Sequence, residues 1–188
     1  MSDSMLTKKA IAQSIKALMR KKELQRISVA DIVANCGINR QTFYYHFRDK
    51  YDLVNWIYYT EVVTAILYNP EFKEWTDGIL FVLQAMKKEQ YFYSNALRVV
   101  GQNALQEYFY EVTKGLFLDR LNAFQDDGRM SWDDKVFIAE FYANGFVGIV
   151  VKWAQNGMKE PPKEMVRRIT ALIETVRYYA GSKDHLLT

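Results

Sequence analysis

Apolar residues return every three or four positions along nearly the whole chain, the period of helices with one buried face. Ile11, Ile15, Leu18 and Met19 line such a face near the start, and Val29, Ile32 and Val33 line a shorter one. The spacing recurs in Leu116, Phe117, Leu121 and Phe124, then in Phe137, Ile138, Phe141 and Tyr142. Alternating apolar and polar positions, the mark of a half-buried strand, are not sustained anywhere. The pattern predicts an all-α chain of about nine helices. Breaks are few: Gly37, Asn69-Pro70, Asp126-Asp127-Gly128, and Gly157 followed by Pro161-Pro162.

Local chemistry sets several helix ends. Ser28 with Asp31, and Ser131 with Asp134, place a hydroxyl before an apolar run and a carboxylate three residues on, the pattern of a capping box. Pro162 suits the first turn of the last helix, where a missing N–H costs nothing. A capped helix over 28–35 then meets Cys36-Gly37, and a second short helix starts at Asn39. Gly37 is placed to take the positive φ of a tight helix–helix turn. Two short helices around a glycine turn, behind a longer amphipathic one, form a helix-turn-helix. The expected division is a three-helix helix-turn-helix DNA-binding domain over 1–50 and a larger helical domain over 51–188.

The second short helix has two unlike faces. Phe43 and Phe47 lie four apart and join Ile38 toward the first two helices, while Arg40, Gln41 and Tyr44 point the other way, with Thr42, Tyr45 and His46 at the edges. Arg, Gln and Thr at the start of a recognition helix can reach base edges in the major groove, so Arg40, Gln41, Thr42 and Tyr45 are the expected base contacts. Lys8, Lys9, Ser28, Asn39, Tyr44, His46 and Lys50 suit phosphate oxygens, which set register without reading sequence. Charge agrees with a polyanionic partner. Residues 1–50 carry ten Lys and Arg against four Asp and Glu, and residues 51–188 carry fifteen against eighteen.

Composition narrows the remaining classes. With 49% hydrophobic residues, the 188-residue chain has ample material for a packed core. No uninterrupted apolar run approaches a membrane span, and the start lacks a signal region, so no membrane partner is expected and the cytoplasm is the expected location. Cys36 is the single cysteine and His46 and His185 the only histidines, which leaves no disulfide framework and no expected metal or other cofactor. Neither a phosphate-binding glycine loop nor a nucleophile–base motif is present, so no catalytic residues are assigned and an enzyme is not expected.

Residues 27–53, ISVADIVANCGINRQTFYYHFRDKYDL, resemble the DNA-binding segment of the TetR family of bacterial transcriptional regulators. The family pattern has a hydroxyl-capped helix, "DIA…AG" into the turn, then "TxYxHF" and "K…L". It stands here as Asp31-Ile32-Val33, Cys36-Gly37, Thr42 to Phe47, Lys50 and Leu53, with Cys36 in place of the usual Ala and Phe43 in place of the commoner Leu. Residues 141–157, FYANGFVGIVVKWAQNG, also resemble C-terminal helices of the family. The resemblance implies that the C-terminal domain, 51–188, serves effector binding and dimerisation, and that a homodimer sits on a palindromic double-stranded operator, controlled there by an unknown small-molecule effector or protein partner. RQTFYYHFRDKYDLVNWI is similar to a subgroup that activates dihydroxyacetone-kinase operons through a kinase-like protein partner. A helical protein–protein adaptor that no longer reads DNA is the alternative outside this class.

A single recognition helix covers few base pairs, so physics independently favours two-fold pairing. The expected dimer face lies on the last two long helices, 131–156 and 162–180, at Ala139, Ala143, Gly145, Gly148, Ile149, Trp153, Ile169 and Ile173. A pocket framed by the intervening helices is expected to use Trp56, Tyr59, Phe81, Phe92, Tyr93, Phe109, Phe117 and Tyr142. Within 87–97, Gln90, Ser94 and Asn95 among the rings point to a polar ligand or a protein partner. The helix over 50–68 is the expected lever between the two halves.

Overall fold

The computed structural model describes residues 3–68, 72, 74–101, 104–123 and 130–181, with side chains placed as far as residue 172. All regular structure among them is helical: α1 (Asp3–Met19), a 3₁₀ turn (Leu24–Arg26), α2 (Val29–Cys36), α3 (Arg40–His46), α4 (Lys50–Tyr58), α5 (Thr64–Tyr68), α6 (Trp75–Lys88), α7 (Gln90–Ala96), α8 (Leu105–Ala123), α9 (Trp132–Gln155) and α10 (Pro162–Gly181). A π-helical segment, Tyr59–Val63, joins α4 to α5 without a break. The described residues therefore form nine continuous rods, and the lever expected over 50–68 is one of them. Its π turn is not legible in the apolar pattern. Such a turn inserts an extra residue into the helical ladder and recurs at functional sites.

The ends follow the expected chemistry. Ser28 caps α2 and Ser131 caps α9, each in a complete capping box. Asp49 adds a cap to α4, its carboxylate accepting from the N–H groups of Tyr51 (2.7 Å) and Asp52 (2.8 Å). Gly37 closes α2 with φ +70°, in the left-handed region. Open space surrounds its missing Cβ, so an added methyl meets no neighbour. Gly37→Ala is therefore expected to cost only backbone strain, about 1–2 kcal/mol, measurable by urea denaturation with the reading helix otherwise intact.

Packing runs unbroken from head to body. Ile11, Ile15, Met19, Ile32, Phe43 and Phe47 belong to the same buried cluster as Leu53, Ile57, Phe92, Phe109 and Val150. In the body, Tyr58 meets Phe109 edge to face at 5.6 Å, and Phe109 meets Phe146 at 5.9 Å. Such geometry sets each ring's positive edge against its neighbour's negative face. α8 and α9 pack along one another, and Ala139 and Ala143 of α9 are fully buried within the protomer.

The opposite side of α9 is also apolar. Phe137 (70% exposed), Phe141 (68%) and Ile149 (42%) stand outward, and Gly145 and Gly148 have no neighbouring atom where a Cβ would sit. By length and composition alone α9 could cross a membrane, although a third of its apolar stretch is buried inside the protomer. Two apolar faces on one helix explain that composition: one packs within the protomer, and the other faces outward.

Candidate nucleic-acid interface

α3 is held from behind. Asn39 caps it, its side-chain oxygen accepting from the Thr42 N–H (2.8 Å) and the Thr42 hydroxyl (3.0 Å). Phe43 is fully buried and Phe47 nearly so, and their rings lie 5.9 Å apart. These anchors leave Arg40, Gln41, Tyr44 and Tyr45 exposed on the outer face, Tyr45 at 81%. Tyr44 is steadied by an edge-to-face contact with Phe43. Four long donors therefore project from a short helix that cannot roll, which is what reading a groove requires.

The residues expected at phosphate divide into two groups. Lys8 lies 5.8 Å from the rings of both Phe47 and Trp56, which orient its ammonium beside His46. Lys9, the next residue along α1, is exposed, and Asn39 keeps its amide N–H₂ group at the mouth of the reading helix. Ser28 and Lys50 are committed elsewhere. The Ser28 hydroxyl donates to the Asp31 carboxylate (2.8 Å), which also accepts the Ser28 N–H (2.8 Å). These bonds and the nearby Lys22 hold Asp31 below the usual carboxylate range. Ser28 thus has an anion beside it and its hydroxyl proton already donated.

Lys50 departs most from expectation. Its ammonium donates to the carbonyls of Leu24 (2.8 Å), Gln25 (3.0 Å) and Ile27 (2.8 Å). An ammonium has three donors, and all three are used. Burial lowers its pKa, opposed by Asp49. The side chain ties the segment between α1 and α2 to the first turn of α4, and no donor is left for phosphate.

His46 is half-buried, its ring 4.9 Å from that of Tyr45. Burial first, then the charge of Lys8, lowers its pKa below 6.5. A histidine depressed in this way contributes stability that is complete above the unfolded value and declines as pH falls toward the folded one. A phosphate placed beside it reverses the balance and favours the imidazolium. DNA affinity is therefore expected to rise as pH falls from 7.5 to about 6. His46→Gln should flatten that rise in anisotropy titrations at constant salt.

Behind the reading head, the polar residues of 87–97 bind the protein to itself. Asn95 accepts from the Leu24 N–H (2.8 Å) and donates to the carbonyls of Lys22 (2.7 Å) and Met19 (3.2 Å), clasping the end of α1. Gln90 and Ser94 donate to the carbonyls of Gly157 (3.1 Å) and Ala154 (2.9 Å), at the end of α9. α7 is thus a strut between the head and α9. Beside it the buried Lys16 ammonium of α1 meets the carboxylate of Glu61 at 2.7 Å and that of Glu89 at 3.9 Å. Glu61 lies in the π turn of the lever.

The eight rings expected to frame one pocket are not brought together. Phe92, Tyr93 and Phe109 are buried core, filled against their neighbours. Phe117 packs on Tyr142 at 5.8 Å, and Phe81 on Phe72 at 5.4 Å. Trp56 and Tyr59 line an open groove between α4 and α8, shared with Asp52, Tyr108 and Glu111.

The expected dimer residues also separate. Ala139, Ala143 and Trp153 face the protomer's own core, the Trp153 indole N–H donating to the Glu160 carbonyl (2.9 Å). Gly145, Gly148 and Ile149 face outward, Ile169 is half-buried against the core, and the Ile173 side chain lies outside those described. Phe137, Phe141 and Leu172 (57% exposed) join the outward set. The i, i+4 spacing of Phe137 and Phe141 could have flagged them, but periodicity marks a face without saying what covers it.

Two family models match the chain: "Bacterial regulatory proteins, tetR family" over residues 11–57, and "Transcriptional regulator C-terminal region" over 73–175. The HTH-type dhaKLM operon transcriptional activator DhaS of Lactococcus lactis subsp. lactis (strain IL1403) is 30% identical over 152 residues, covering 79% of this chain and 80% of that protein. A solved structure of the dihydroxyacetone kinase operon activator DhaS is similar with a TM-score of 0.69 and 25% identity, covering 91% of this chain and 96% of that one. A TetR transcriptional regulator from Streptococcus agalactiae 2603V shares the fold, with a TM-score of 0.66, 16% identity, and 90% and 94% of the two chains covered.

Proposed function

Because the chain belongs to the TetR family of bacterial regulatory proteins, we propose that this transcriptional regulator works as a homodimer on a palindromic operator and activates the operon beside it. One observation carries the reading: the outer face of α3 presents Arg40, Gln41, Tyr44 and Tyr45 from a helix locked by Phe43 and Phe47. Two such helices, roughly 34–36 Å apart, enter successive major grooves on one side of the duplex. Arg40, Gln41, Thr42 and Tyr45 meet bases, Thr42 through its methyl and remaining lone pairs. Lys8, Lys9, Asn39, Tyr44 and His46 hold phosphate. Activation as the sign is supported by the relative described as an operon activator.

The packed ring cluster of the body favours an effector, small molecule or protein, that engages the surface. Such an effector changes operator affinity by preferring one spacing of the heads, with a coupling of about 1–3 kcal/mol. The seam of Asn95, Lys16 and Lys50 is where body and head exchange that preference.

The reading is tested by recovering genomic fragments on the purified protein at moderate salt and sequencing them. A recurring palindrome supports it; recovery without sequence preference refutes it. On the recovered site Arg40→Ala is expected to lose about 1–3 kcal/mol and to relax one base position in each half. The same variant on random DNA should change little beyond the salt slope, which falls by about 0.9 for each phosphate no longer neutralised.

A further inference from the structure

We propose that the cleft between the C-terminal end of α1 and α7 binds a small phosphate-bearing anion. The cleft is open to solvent, measures about 360 Å³ and is lined by Arg20, Lys21, Lys22 and Arg98, with Tyr91 beside them and Glu23 as its one carboxylate. Glu23 is turned to Arg26 (3.5 Å), and Lys22 to Asp31 (3.6 Å). Arg20, Lys21 and Arg98 form no ion pair among the described residues. Four cations gathered around one hollow, against a single lining carboxylate already turned to Arg26, raise the local potential, and an anion relieves it.

The hollow is prepared as well as charged. Asn95 clasps the carbonyls of Met19 and Lys22, so the backbone carrying the first three cations is fixed before anything binds. Gln90 and Ser94, on the same wall, spend donors on Gly157 and Ala154 and offer no competing negative charge. Arg20 and Arg98 bring planar forks that match phosphate oxygens, and the exposed Tyr91 ring can cover the remainder of a small ligand. The volume lies at the small-molecule end of ligand sites, too short for a helix or a duplex. Arg20 also stands ~18 Å along α1 from Lys8, which flanks the reading helix. DNA seated on α3 leaves the cleft open.

The ligand touches the end of α1, which belongs to the head, and α7, which holds α9. Bridging them tightens the strut. This deepens the surface-effector reading and rests on it for its regulatory consequence, while the site itself does not.

The test begins without DNA. Inorganic pyrophosphate is titrated into the full-length protein by calorimetry at constant ionic strength, with sodium chloride as the control. One saturable site per chain is expected, with affinity reduced at least about tenfold in the double variant Arg20→Gln/Arg98→Gln. Both side chains are exposed, so the melting temperature of the unliganded variant should stay that of the wild type. No saturable heat, or equal binding by the double variant, overturns the site. Loss of binding in Arg40→Gln instead assigns it to the reading face and overturns it too. A second arm measures operator anisotropy with and without pyrophosphate. A shift absent from the double variant supports the effector role; an unchanged affinity with cleft binding intact refutes that role alone.

Discussion

Lys50→Met is expected to destabilise the reading head by about 2–4 kcal/mol and to lower the urea midpoint by roughly 1–2 M. The ammonium serves three carbonyls of residues 24–27 at once, and a thioether serves none. Hydrogen bonds to a charged group contribute about 1.5–3 kcal/mol each, and water recovers part of the loss because the site is only half-buried. Leu24 and Ile27, both about 1% exposed, hang from the tethered segment, so the slack passes directly into the core under α3. Arg is not expected to rescue, since its planar fork cannot address three carbonyls set around a point. Equilibrium unfolding of the full chain, followed by circular dichroism and Trp fluorescence, checks this. An unchanged midpoint together with a salt slope reduced by about 0.9 would return Lys50 to the phosphate backbone and sink the tether.

That reversal shows what kind of information the sequence carries. The helix-turn-helix was legible because its signals are local: Ser28 and Asp31 are three residues apart, Gly37 follows its helix, and Phe43 and Phe47 share a face by spacing alone. Lys50 reaches carbonyls 23 to 26 residues back, and Asn95 reaches 71 to 76 residues back. No periodicity encodes such a meeting, so a lysine at a helix start reads as a phosphate holder and an amide among rings reads as a ligand group. The aromatic residues of the body posed a related difficulty. Edge-to-face packing in a core and the lining of a cavity draw on the same residue types, and spacing does not say whether the middle is filled. The π turn at Tyr59–Val63 was hidden because one inserted residue leaves the surrounding apolar rhythm nearly intact.

The seam between head and body gains meaning from these long-range bonds. Three devices cross it: the Lys50 tether, the Asn95 clasp and the buried Lys16 ammonium shared between Glu61 and Glu89. Lys16 is 8% exposed and its nearest carboxylate 40%, so the pair is rooted in α1 and open on the lever side. Movement of the π turn changes the environment of a buried charge, which costs far more than sliding apolar surfaces. Shifts of the lever are therefore resisted until the carboxylates can follow. In the proposed dimer this favours preferred positions of the heads over a continuum.

Phe141→Glu is expected to turn a dimer into monomers and to weaken operator binding at least about a hundredfold. Phe141 is 68% exposed in the protomer, so the substitution removes nothing from the core and the monomer should melt as before. In a two-fold interface the same residue enters twice. Each ring withdrawn forfeits about 2–3 kcal/mol of apolar burial, and each carboxylate left in its place must be desolvated or driven out. Gly145→Arg is the companion variant: open space surrounds Gly145 in the protomer, whereas close approach of a second α9 leaves no room. Ala143→Arg should behave oppositely, because Ala143 is fully buried within one chain, and unfold the protomer before the dimer is at issue. Once the dimer is lost, two half-sites no longer bind as one, and the loss of avidity alone is about 10²–10⁴ in affinity. Sedimentation velocity and operator anisotropy on the three variants separate these outcomes. A Phe141→Glu protein that sediments as a wild-type dimer would remove the outward face of α9 from the interface. The apolar stripe of Phe137, Phe141 and Ile149 would then need a different neighbour.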